Sequence, residues 1–117
     1  MIGQQQKDQA EKWFKDLRDK ICEEFEILEE DHLKLAPKSD VAAKKFERKS
    51  TIRETDDKED GGGGVMATLK GGRIFEKVGV NVSAVYGKLA PEAQKSITAR
   101  KAIPELKDDP RFWASGI

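Results

Sequence analysis

One cysteine, one histidine and an aromatic content of 7% leave this 117-residue chain short of the side chains that build disulfides, metal centres and nucleophilic sites. Cys22 has no second cysteine to pair with, which excludes an internal disulfide and points to a reducing compartment. His32 stands alone near the end of a helical pattern, so no ligand set can be assembled around it and solvation is its expected state. An excess of either charge is also missing. Lys plus Arg and Asp plus Glu both number 22, which removes the sequence-wide electrostatic argument for a nucleic-acid or anionic-membrane partner. The apolar runs are a few residues long, far below the roughly 20 needed to span a bilayer. No basic, apolar and small-residue order marks a secretory leader. The predicted setting is therefore cytoplasmic, with no integral membrane segment. With 38% charged residues, 37% hydrophobic ones and a mean hydropathy of -0.71, the chain can build only one small core, and a partner surface is expected to complete it.

Gly and Pro are absent from Gln4 to about Asp31, and within that stretch Ala10, Trp13, Phe14, Leu17, Ile21, Cys22, Phe25 and Leu28 recur at intervals of three and four. That periodicity predicts a long amphipathic helix over 4–31, with charges such as Asp16 and Lys20 spaced for pairing on its wet side. Trp13, Phe14 and Phe25 form an aromatic stripe read as core packing, and Cys22 on the same face reads as an inert buried thiol. From 33 to 60 the periodicity fades into a linker or mobile loop. Pro37 interrupts it, a short helix at Val41–Arg48 capped by Ser39 or Asp40 is one option inside it, and Glu54–Asp60 is almost wholly polar.

Glycine is concentrated in the second half. Gly61 to Gly64 open an alternating stretch, Val65 to Lys70, which Gly71-Gly72 turns into a second extended stretch, Arg73 to Val78. After Gly79, Val80 to Tyr86 alternates again and predicts a third strand, so that hairpin and third strand occupy 65–86. Pro91 begins a short helix, 91–99, on the rule that proline suits the first helical turn. Phe112 to Ile117 reads as a strand being entered, with no visible pairing partner, and its apolar residues run to the last position, so we expect a truncated strand. The sum is an α+β fold, a long amino-terminal helix packed on an antiparallel sheet.

Chemistry is harder to find. The P-loop pattern does not occur: Gly87-Lys88 is followed by Leu89, and the position five before Gly87 is Val82. The glycines precede a strand and not a helix, which fails the dinucleotide fingerprint. Gly61–Gly64 thus reads as a flexible lead-in, or as a place where backbone approaches another backbone or a ligand. No Ser-His-acid set, Cys-His pair or carboxylate dyad stands out.

The run GGGGVMATLKGGRIFEKVGVNVSAVYGKLAPE, Gly61 to Glu92, resembles the amino-terminal core of oxygen-dependent coproporphyrinogen III oxidases. The similarity rests on the glycine run, Phe75-Glu76-Lys77, Gly79-Val80-Asn81-Val82-Ser83, and Asp109-Pro110-Arg111-Phe112-Trp113-Ala114-Ser115-Gly116-Ile117. The helix bearing Trp13-Phe14, Leu17-Arg18-Asp19, Ile21-Cys22 and Phe25-Glu26 is similar to the first helix of bacterial members. Ahead of the glycines the family often has an aromatic residue and an arginine, where this chain reads Thr51-Ile52-Arg53 and then an acidic run. The resemblance implies a homodimeric enzyme built on a large flat antiparallel sheet. Such an enzyme converts two propionates of coproporphyrinogen III to vinyl groups with O2 as co-substrate and neither metal nor organic cofactor. It implies a dimer contact at Thr68, Leu69, Lys70, Gly71, Gly72, Arg73, Ile74, Phe75, Glu76 and Lys77. The substrate-binding serine would come directly after Ile117, and the proton-donating histidine and the gripping asparagine and arginine later still, so no catalytic residue is expected in this chain. The leading expectation is the amino-terminal part of such an enzyme, inactive alone. The alternatives are a non-catalytic interaction protein that pairs with a full-length oxidase through its hairpin, and an unrelated small α+β module whose glycine loop meets an anion.

Overall fold

The structure, a computed structural model, describes residues 3–35 and 41–117. Its order is helix α1 (Gln4–Leu35), strands β1 (Glu47–Glu54), β2 (Asp60–Lys70) and β3 (Lys77–Lys88), helix α2 (Pro91–Thr98), a 3-10 turn (Pro104–Lys107) and strand β4 (Arg111–Gly116). The four strands form one antiparallel sheet in the order β1-β2-β3-β4. This is the α+β arrangement expected, a long helix on an antiparallel sheet.

Helix α1 turns one stripe to the sheet, through Phe14, Arg18, Cys22, Phe25 and Glu29, at intervals of three and four. Trp13 lies outside that stripe and is 64% exposed, so only Phe14 and Phe25 of the expected aromatic stripe face inward. One residue is about 100° of helix, enough to carry Trp13 off the covered side. On the wet side Asp16 accepts from Lys12 at 2.7 Å, on the turn before it, and no Asp16–Lys20 pair is among the ion pairs of the described residues. The sheet answers with the period of two: Ala67, Leu69, Val80 and Val82 are buried, while their neighbours Met66, Asn81 and Ser83 are exposed on the other face. Cys22 packs with Ala67 and Val80, and Ile21, Phe46 and Val78 close the cluster.

Four local readings are corrected. The stretch 33–60 holds a strand, because β1 pairs along β2 from Glu47 opposite Thr68 to Glu54 opposite Asp60. Strand β1 is an edge strand exposed along nearly its whole length, so it needs no apolar alternation and left none to read. The acidic run is the tip of this hairpin, closed by Lys58 N–H to Thr55 O at 2.8 Å and Thr55 N–H to Glu59 O at 3.0 Å. No helix forms over the described part of Val41–Arg48, and the caps proposed at Ser39 and Asp40 lie outside the described residues. The 65–86 hairpin is also redrawn. Arg73 to Phe75 belong to a six-residue loop, and the stretches on both sides of Gly79 are one strand, β3, with Gly79 paired to Thr68. Finally, the strand at 112–117 has a partner, since β4 pairs with the far edge of β3 from Arg111 opposite Lys88 to Gly116 opposite Ser83.

Candidate functional site

The residues implied as a dimer contact occupy one end of the sheet: the last turn of pleat in β2, the loop 71–76 and the first residue of β3. Gly71 starts the loop at φ 63°, in the left-handed region that favours glycine. Gly71 N–H donates to Glu76 O and Gly72 N–H to Phe75 O, both at 2.9 Å. The next amides have no partner on the opposite strand. They donate instead to the Glu29 carboxylate of α1: Arg73 N–H to Oε2 at 2.8 Å, and Ile74 and Phe75 N–H to Oε1 at 3.0 Å each. Glu29 is 0% exposed. Burial pushes its carboxyl upward, yet the backbone N–H groups of Phe75, Arg73, Ile74 and Lys44 outweigh this and hold it below the ordinary glutamate value.

The loop therefore has two sides. Phe75 turns inward, its ring edge-on to Phe25 at 4.8 Å between centroids, and Leu69 is wholly buried. Gly72 faces the Glu29 carboxyl closely enough that any Cβ would collide with it. Lys70, Ile74, Glu76 and Lys77 face outward and are exposed. Of the implied contact residues, these are the side chains placed to meet another surface.

The opposite end of the sheet is drawn together by polar contacts. Arg53 Nη1 donates to Tyr86 O at 2.9 Å and to Gly61 O at 3.5 Å, and its guanidinium lies 5.5 Å from the Phe112 ring centroid. One side chain of β1 thus reaches β2, β3 and β4. Tyr86 O–H donates to Asp60 Oδ2 at 2.6 Å, and Asp60 Oδ1 accepts from Gly62 N–H at 3.0 Å. Both bonds favour the charged carboxylate and lower its pKa, while the Tyr86 hydroxyl is raised, first by the same hydrogen bond. Arg111 holds Asp109 in a paired hydrogen bond and lowers it to about 2. Around these groups lies an open cleft of about 990 Å³, with Lys7, Glu11, Tyr86, Lys88, Arg111 and Trp113 in its lining. Charges of both signs interleave there, so no single ligand charge is favoured.

The glycine run has an intramolecular reason. It forms the middle of the sheet, and a Cβ on Gly62, Gly63 or Gly64 would come within 3.0 Å of the carbonyl oxygens of Ala84, Thr51 or Val82. Backbone approaches backbone, in agreement with the absence of a phosphate-loop pattern. No metal-ligand group of three or more His, Cys, Asp or Glu occurs among the described residues. Cys22 is buried, and desolvation raises its pKa, which keeps the thiol protonated. The His32 side chain lies outside what is described. No helix of the described residues is long and apolar enough to cross a membrane.

Sequence reasoning missed Glu29 and Arg53. A signal for Glu29 existed: it continues the Arg18, Cys22, Phe25 stripe at the next interval of four, a carboxylate where an apolar residue belongs. For Arg53 there was none in the side-chain pattern, because the groups it donates to are the backbone oxygens of Gly61 and Tyr86 on other strands.

The family model described as Coproporphyrinogen III oxidase matches residues 9–117, from the second turn of α1 to β4. The chain is 42% identical over 111 residues to the oxygen-dependent coproporphyrinogen-III oxidase of Rickettsia peacockii, covering 95% of this chain and 34% of that protein. The same figures hold for the Rickettsia rickettsii protein of that name. For that of Rickettsia bellii identity is 36% over 116 residues, covering 99% of this chain and 36% of the relative. The chain thus spans about a third of the length of the relatives it matches. No solved structure matches it. With a family match that takes in nearly the whole of α1, all four strands and the loop held by Glu29, this chain belongs to the coproporphyrinogen III oxidase family.

Proposed function

We propose that this chain supplies the amino-terminal part of an oxygen-dependent coproporphyrinogen III oxidase, which oxidatively decarboxylates two propionate side chains of coproporphyrinogen III to vinyl groups in haem biosynthesis. The family match over residues 9–117 carries this reading. In it, the helix-backed sheet is scaffold. The loop at 71–76 contributes to a homodimer contact, for which the exposed Ile74, Lys70, Glu76 and Lys77 are suited and the inward Leu69 and Phe75 provide the footing. O2 is the co-substrate, neither metal nor organic cofactor takes part, and the setting is cytoplasmic. The residues that grip the tetrapyrrole carboxylates and donate the proton belong, by resemblance, to sequence following Ile117.

The test is turnover. Purified chain incubated aerobically with coproporphyrinogen III should yield no protoporphyrinogen IX, read as porphyrin fluorescence after oxidation. The same chain continued into the remaining two thirds of the Rickettsia peacockii relative should yield it. Product from the chain alone would overturn the division of labour, and a folded, soluble but inactive fusion would overturn the functional reading itself.

A further inference from the structure

Glu29 is a buried charge that this function does not use, and its surroundings are unusual for a carboxylate. Buried carboxylates are expected to pair with cations or to take up a proton. Here the partners are successive backbone amides of a loop from another part of the chain, more than forty positions away in sequence. Such a row of converging N–H groups is a concave anion site. In this protein the anion is built in. We propose that the ionised Glu29 carboxylate is a conformational lock, which fills the anion site formed by Arg73, Ile74 and Phe75 and thereby dictates the shape of the 71–76 loop.

Three observations support the lock. The loop's own hydrogen bonds end at Gly71 and Gly72, so without Glu29 three adjacent amides in a part-buried place are left unpaired, which carries the full desolvation penalty of each. Gly72 leaves room for the carboxyl where a Cβ would collide with it. The lock also orients two side chains in opposite directions, Phe75 onto Phe25 and Ile74 outward. Arg73 belongs to the same device, since its Nη1 donates to the backbone oxygen of Glu29 at 3.5 Å and its Nε to Val41 O. From the segment ahead of β1 the group facing Glu29 is the backbone N–H of Lys44, while Glu26, one turn earlier on α1, accepts from Phe46 N–H. The lock stays shut across the neutral range and opens only in acid, when the carboxylate is lost.

Amide NMR on the intact chain tests this. The Arg73, Ile74 and Phe75 amides should shift together along one titration whose midpoint lies below the ordinary glutamate value. In Glu29→Gln their hydrogen exchange should quicken by roughly tenfold or more, the size of one charge-assisted bond, while Met66 in the β2 ladder keeps its protection. Ile74→Asp should leave all three protected. Separate midpoints, unchanged exchange in Glu29→Gln, or an equal loss in Ile74→Asp would each overturn the lock. If Glu29→Gln unfolds the ladder too, the wild-type titration alone decides.

Discussion

Among the described residues Leu69 is the largest apolar side chain with no exposure at all, and it lies where β2 runs into the locked loop. Its replacement by Ala should cost about 2–4 kcal/mol, measured by urea unfolding, because the transfer loss and the cavity add. Glu29 and Asp19 make the stability of the fold sensitive to acid. Both carboxyls are held below their ordinary values of 4.5 and 3.8, Glu29 by backbone amides that outweigh its burial and Asp19 first by its hydrogen bond to Arg48. A depressed carboxyl contributes stability that is present above the unfolded value and is lost as pH falls through the folded one. The thermal midpoint should therefore be flat above about pH 5 and fall from the ordinary carboxylate range downward. Asp19 is half exposed, and Asp60 and Asp109, also held low, lie at the surface, so their shares are the more easily screened and added salt should leave the Glu29 share of the fall in place.

Elements hold together here through a few contacts at their ends. Phe25 is the side chain by which α1 touches both Phe46, ahead of β1, and Phe75 in the loop, at 6.3 Å and 4.8 Å between centroids. Phe25→Ala should cost more than the about 1–3 kcal/mol of its two edge-to-face pairs, because the burial of the ring is lost with them. By contrast, Lys12→Ala removes an ion pair whose side chains are 78% and 58% exposed, and should leave the unfolding midpoint within experimental error. Guanidinium unfolding of the two variants in parallel checks that ordering. Helix α1 was legible because its period is carried by its own side chains. Strand β1 was not, because an edge strand is made by backbone pairing to β2, and nothing in Glu-Arg-Lys-Ser-Thr-Ile-Arg-Glu has to alternate. The loop at 71–76 failed as a two-residue turn for a related reason: a carboxylate 44 positions earlier in the chain satisfies the amide of Arg73.

The whole molecule is long and thin. Its radius of gyration is 19.4 Å, against about 13 Å for a compact chain of this length. Its surface is 9073 Å², against about 6,400 Å² for a compact monomer of this mass. The sheet has one face under α1, another bearing the exposed Met66, Asn81 and Ser83, and open edges at β1 and β4. Ile52, 88% exposed on the β1 edge, is the apolar group most available for edge-to-edge association. Ile52→Lys should reduce light scattering on concentration while leaving the unfolding midpoint within experimental error, since the side chain buries almost nothing. By itself the sequence determined the long helix, the extended character of β2 and β3, the shortage of core and the family, since periodicity, composition and a long motif are properties of neighbouring residues. Tertiary structure alone decided that the glycines are strand interior, that β1 and β4 find partners, and that Glu29 shapes the hairpin loop. Each of those rests on backbone groups brought together from distant positions, and a backbone N–H or C=O is the same at every residue, so no side-chain pattern announces where it will pair.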